Sequence, residues 1–138
     1  MTSQDYDAVT ALWQATEGVG LNESDSRENI EAYLARNPEL SLVAVQDDEL
    51  IAAVLCGHDG RRGFLNHLAV AAAFRGQGIA RQMVAMCLKR LAAGGILKCN
   101  IYLYVDNHSG AAFWRRLGWL QRAELLVLQQ STDLSHRP

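Results

Sequence analysis

Proline occurs only twice in these 138 residues, and no proline-, glycine- or serine-rich stretch or internal repeat divides the chain. A linker, a low-complexity arm and a repeat array are therefore not expected. Residues 1–138 read as one domain with a polar C-terminal tail from residue 129. Cysteine is also scarce. Cys56, Cys87 and Cys99 lack any CxxC spacing or Cys/His pairing suited to a metal, so no metal centre is expected, and reduced thiols in a cytoplasmic protein are the default. Neither sign of charge dominates, with 13 Lys plus Arg against 15 Asp plus Glu. That balance argues against a nucleic-acid partner gripped by bulk positive charge. No apolar run approaches the ~20 residues that cross a bilayer, and the acidic start, Met1 to Asp7, is unlike a signal peptide.

Hydrophobic periodicity supplies the elements. Val9, Leu12, Trp13 and Thr16 follow helical spacing, with Thr2 or Ser3 as a cap. A second helix carries Ile30, Tyr33 and Leu34, with Asp25 and Glu28 as its capping pair and Asn37-Pro38 as its stop. Leu42 to Val45 and Leu50 to Cys56, joined by Gln46-Asp47-Asp48, read as an antiparallel hairpin. A strand from Arg62 to Val70 follows the turn Gly57-His58-Asp59-Gly60. Beyond Phe74 the period changes, and Ile79, Met83, Cys87 and Leu91 line one face of a long helix that stops at Gly94-Gly95. Cys99 to Val105 alternates as a strand, Ser109 caps a short helix ended by Gly118, and Trp119 to Leu128 reads as one or two further strands. The class is mixed α/β.

The segment Val70 to Arg81 carries the most chemistry. A strand runs into a loop with Gly76 and Gly78, and that loop opens a helix. A helix start leaves several N–H groups without intrahelical partners at the positive end of the dipole, and glycines let an anion approach them closely. Arg75 could add a charge-assisted contact. The same pattern is equally compatible with an ordinary strand-to-helix bend. It lacks the lysine of a Walker loop and the full GxGxxG of a dinucleotide fold.

Arg75-Gly76-Gln77-Gly78-Ile79-Ala80 resembles the [QR]xxGx[GA] loop of the GNAT superfamily of N-acetyltransferases. Asn107 to Trp119 resembles the same family's second signature, an Asn followed by a short helix ending in an aromatic and Leu-Gly-aromatic. Within the superfamily the chain looks most like small bacterial acetyltransferases of the YpeA type. The resemblance implies a mixed, mostly antiparallel sheet flanked by helices, with a splayed parallel strand pair formed by Phe64 to Val70 and Cys99 to Val105. It also implies acetyl-CoA as co-substrate, with pantetheine held by backbone groups of Leu68 and Val70 and an N–H near Val70 polarising the thioester carbonyl. Arg75, Gly76, Gly78, Ile79 and Ala80 map onto pyrophosphate contacts, and Asn107 onto the Asn that steadies the cofactor arm. Trp114 falls where many members place a tyrosine acid; its indole supplies no proton near neutral pH, so it is expected to wall the cofactor.

The implied reaction is direct transfer of acetyl from the thioester to an amine of a small molecule or peptide; the alternative is a non-catalytic acyl-CoA-binding module. No base is fixed by the sequence. Glu17 and Glu23 lie in the loop that borders the acceptor in this family. Asn66 and Phe64 occupy strand positions where members often carry Glu or His. By strict alternation His67 shares a face with Leu65, opposite Asn66, so a packed or hydrogen-bonded role is expected for it. Members usually open with a strand, whereas this chain enters a helix almost at once. The sheet is therefore expected to lack its first edge strand, leaving a pairing surface open to a homodimer, unless the biological start lies upstream.

Overall fold

The computed structural model describes residues 1–133 and 135. Two compact units are present, Met1–Asn107 and the residues from His108 onward. In the first, helices α1 (Tyr6–Gln14) and α2 (Arg27–Arg36) precede strands β1 (Leu42–Gln46), β2 (Glu49–His58) and β3 (Arg62–Val70), then α3 (Ile79–Ala93) and β4 (Lys98–Ile101). The strands form one sheet in the order β1-β2-β3-β4, with the first two pairings antiparallel and the last parallel. The β1–β2 turn uses Asp47 and Asp48 at φ 50° and 63°, a left-handed pair that suits the twist of a two-residue hairpin.

Each face of the sheet has its own cover. Val9 and Trp13 of α1 and Ile30 of α2 bury against Ala53, Leu55 and Ala69. On the opposite face, Gly63 lies under Leu91 of α3, where an added Cβ would stand 2.7 Å from that leucine. Leu65 shares this face with Gly63 and is opposite Cys56, which is fully buried like Cys87 of α3. Both faces are thus apolar and the sheet sits between helical layers.

Three expectations need correction. Ser26, not Asp25, caps α2, its hydroxyl accepting from Asn29 N–H at 3.2 Å. Asp25 instead ends a 3-10 turn over Glu23–Asp25 and accepts from Asn22 N–H at 3.1 Å. The strand expected from Cys99 to Val105 keeps its ladder only over Lys98–Ile101. Finally, Trp119 to Leu128 forms no strand. The second unit holds one helix, α4 (His108–Arg116), and among its described residues no ladder that an alternating segment could join. Leu125 to Leu128 stand 62–90% exposed. The polar tail expected from residue 129 is exposed where described, and Leu134 and residues 136–138 lie outside the described residues.

Ser41 stitches the sheet's outer side. Its buried hydroxyl accepts from Cys56 N–H at 2.9 Å and donates to Cys56 C=O at 3.3 Å, just ahead of β1. Ser41→Ala leaves both groups buried without that partner and is expected to cost about 1–3 kcal/mol, read from urea unfolding at unchanged m-value.

Candidate functional site

The β3–β4 ladder pairs Arg62 with Lys98, Gly63 with Cys99, Phe64 with Asn100 and Leu65 with Ile101, and there it ends. β3 itself continues five residues to Val70 against β2. Ala71 N–H bonds to Ile51 C=O on the β2 side at 2.7 Å. Because successive peptides alternate in direction, Val70 turns its N–H and C=O the other way, into the gap left by the departing segment 102–105. Leu68, two residues earlier, lies on the same unladdered stretch. The Val70 carbonyl accepts from Arg75 Nε at 3.0 Å, so Arg75 folds the loop back on the strand end through a nitrogen other than its two terminal ones.

The loop leads to an uncapped helix. A 3-10 turn spans Ala72–Phe74; then Gly76 and Gly78 adopt φ 77° and 80°. Gly78 is the N-cap of α3, and among the described residues no side chain bonds to the first-turn amides. The first intrahelical bond runs from Gln82 N–H to Gly78 C=O at 3.1 Å, which leaves the N–H groups of Ile79, Ala80 and Arg81 directed out of the helix. A Cβ on either glycine would meet nothing within 4 Å, so the mouth of the helix is open space. Two left-handed residues ahead of a bare helix N-terminus make a concavity of backbone donors suited to a phosphate.

His67 departs from its expected face. Ala53 pairs with Ala69 but Leu55 pairs with Asn66, so His67 and Leu68 together oppose Val54 in a bulge. His67 takes φ 55°. The extra residue breaks the alternation and swings the imidazole to the α1 side, where it meets the Trp13 ring edge-on at 4.9 Å and Asp25 Oδ1 at 2.8 Å from Nε2. Trp13 Nε1 donates to the His67 carbonyl at 2.8 Å. Asn66 faces the same side, near the half-buried Tyr33, whose phenol is pushed up by burial.

Glu17 and Glu23 are exposed in the segment between α1 and α2. Two glycines of that segment lie against the departing strand: Gly18, at φ 88°, faces the Asn107 amide and Gly20 faces the Tyr104 hydroxyl. Asn107 N–H also donates to Tyr104 C=O at 3.0 Å, which turns the chain after the strand. Tyr104 was legible in the sequence only as an alternating strand residue. In the second unit, the Trp114 ring contacts Phe113 at 5.2 Å and Trp119 at 4.8 Å. None of the thiols offers a ready nucleophile. Cys56 and Cys87 are fully buried, and burial pushes the Cys99 thiol up to about 11. A concavity of about 1280 Å³ between the N-terminus, α2 and β1 is lined by none of these residues. Among the described residues no cluster of His, Cys, Asp or Glu could hold a metal ion, and no helix is long and apolar enough to cross a membrane.

A parallel pair whose ladder ends early, followed by a glycine loop and a bare helix start, offers backbone groups to an extended amide-bearing chain and to a phosphate. The sequence profile of the acetyltransferase (GNAT) family matches residues 6–119. An acetyltransferase of Pectobacterium atrosepticum is 33% identical over 113 residues, covering 82% of this chain and 79% of the relative. The chain belongs to the GNAT acetyltransferase family. It is an enzyme, an N-acetyltransferase whose co-substrate is acetyl-CoA. Solved structures of the same fold include the PaiA N-acetyltransferase of Thermoplasma acidophilum in complex with coenzyme A (TM-score 0.73, 19% identity, 85% of this chain and 84% of that one). Another is AAC(6')-Iy with the bisubstrate analogue CoA-S-monomethyl-acetylneamine (TM-score 0.74, 15% identity, 95% of each chain).

Gly76→Ala and Gly78→Ala put a Cβ into open space at a left-handed backbone. Each is expected to lower unfolding stability by about 1–2 kcal/mol through backbone strain alone, measured by urea denaturation.

Proposed function

We propose that this enzyme passes an acetyl group directly from the acetyl-CoA thioester to an amine of a small molecule or peptide, with no acyl-enzyme intermediate. The observation that carries the reading is the end of the β3–β4 ladder at Leu65 and Ile101 while β3 runs on to Val70. An amide-bearing chain such as pantetheine can lie in that gap as a strand would, bonding to the backbone of Leu68 and Val70. The diphosphate then falls to the loop, where Gly76, Gly78 and the N–H groups of Ile79 and Ala80 receive it, with Arg75 adding charge from the nitrogens that Val70 does not use. These residues fit the group: the helix mouth is open, its donors have no capping side chain, and both glycines already hold the required conformation.

Acetyl-CoA supplies an activated acyl thioester. The Val70 N–H, turned into the gap, is the donor that would polarise its carbonyl, and such a donor contributes about 3 kcal/mol where charge develops. Direct attack is supported by the thiols, which are buried or, at Cys99, held protonated at neutral pH. A thiol of ordinary pKa, about 8.5, leaves as thiolate without a strong acid, so solvent can protonate it and the tryptophan at position 114 is no obstacle. The exposed carboxylates of Glu17 and Glu23 border the departing strand through Gly18 and Gly20 and favour a cationic amine. AAC(6')-Iy, of the same fold, is bound to an analogue that joins CoA to an aminoglycoside fragment, which agrees with an amine acceptor.

Release of free thiol from acetyl-CoA against a panel of amino sugars, polyamines and peptide N-termini is expected to give turnover with a cationic member; thiol release with none would overturn the assignment. Arg75→Glu, which reverses charge at the loop and frees the Val70 carbonyl, is expected to weaken CoA binding about tenfold or more by calorimetry. An unchanged affinity would contradict the placement of the diphosphate.

A further inference from the structure

We infer that Trp13, Asp25 and His67 act as a clamp that positions the thioester carbonyl, by fixing the bulge from which Leu68 to Val70 enter the gap. This rests on the proposed binding of pantetheine along that stretch. Three separate elements contribute: Trp13 from α1, Asp25 from the 3-10 turn before α2, and His67 from β3. A histidine at φ 55° is disfavoured and persists only where its surroundings over-determine it. Here the Trp13 indole N–H holds the carbonyl of His67 at 2.8 Å and the Asp25 carboxylate holds its ring at 2.8 Å. The Trp13 ring braces the imidazole edge-on. With the side chains of His67 and Asp25 only 18% and 10% exposed, water competes weakly for these bonds.

Asp25 is itself fixed. Its second oxygen accepts from Asn22 N–H, and its carbonyl accepts from the Tyr6 hydroxyl at 2.8 Å. The position of His67 is therefore referred to α1 and to the turn before α2 rather than to β4, which has already ended its pairing two residues earlier. The peptide that follows His67 inherits this orientation, and so does the direction in which Val70 N–H points three residues on. The clamp also joins the segment bearing Glu17 and Glu23 to the strand that receives the thioester, so the acceptor side and the acyl side share one anchor. His67 is on this account a positioning residue: it acts through the backbone of Val70.

The test reads the carbonyl directly and needs no acceptor. Acetyl-CoA labelled with carbon-13 at the thioester carbonyl is bound to the wild type and to three variants, and CoA affinity is measured in parallel. In the wild type the bound carbonyl resonance is expected to move downfield of the free value, as hydrogen bonding to its oxygen requires. His67→Gly, which tolerates the left-handed backbone but breaks both ring contacts, should lose most of that displacement while CoA affinity stays within about threefold. Trp13→Phe, which keeps an aromatic wall but removes the indole donor, should do the same. His67→Gln, whose amide nitrogen can stand where Nε2 does and donate to Asp25, should restore much of the displacement. Full displacement in both His67→Gly and Trp13→Phe overturns the clamp, as does a parallel loss of CoA affinity, which would mark mere scaffolding. A wild type that binds CoA with an unmoved carbonyl also overturns it, whereas a wild type that binds no CoA defeats the underlying site assignment.

Discussion

A strand that loses its neighbour must satisfy its backbone groups in some other way, and that constraint organises this protein. β3 carries two ladders as far as Leu65 and only one beyond it. The five residues that follow would be an exposed edge if nothing used them. One carbonyl is taken by Trp13, another by Arg75, and the peptide at Ala71 returns to β2. What is left faces the gap, and it is this remainder that gives an extended amide-bearing substrate something to bond to.

The neighbouring loop applies the same logic to a helix. α3 begins at a left-handed glycine with no capping side chain, which in an ordinary helix would forgo roughly a few tenths of a kcal/mol. Placed at the end of the unladdered strand, the bare amides become the natural complement of a phosphate. On the proposed reading, strand edge and helix start receive different parts of one long molecule, the amide arm and its charged end. Affinity would then come from both, while the chemistry would depend on the geometry of a single peptide at Val70.

Much of this is legible in the sequence wherever the signal is local. The period of Ile79, Met83, Cys87 and Leu91 marks α3, and the pair Gly76 and Gly78 marks the turn into it, because spacing and backbone freedom are properties of neighbouring residues. The hairpin at Asp47-Asp48 is read in the same way. The bulge at His67 is not. It depends on a tryptophan 54 positions earlier and an aspartate 42 positions earlier, and strict alternation assigns the histidine to the opposite face. The shortening of β4 is also hidden, since residues 102–105 keep a strand-like pattern after they have left the ladder. Asp25 illustrates a third kind of miss: the motif is a real capping pattern, one turn displaced, with Ser26 taking the helix.

On the proposed reading Arg75 holds two assignments at once, and this limits what can stand in its place. The stem-side nitrogen of the guanidinium fastens Val70, which leaves the terminal pair for an anion. Lysine carries a single terminal ammonium on a flexible stem and can serve either the carbonyl or an incoming anion, not both. An exchange that conserves charge would therefore still unfasten the loop from the strand, and the penalty would be one of shape rather than of electrostatics.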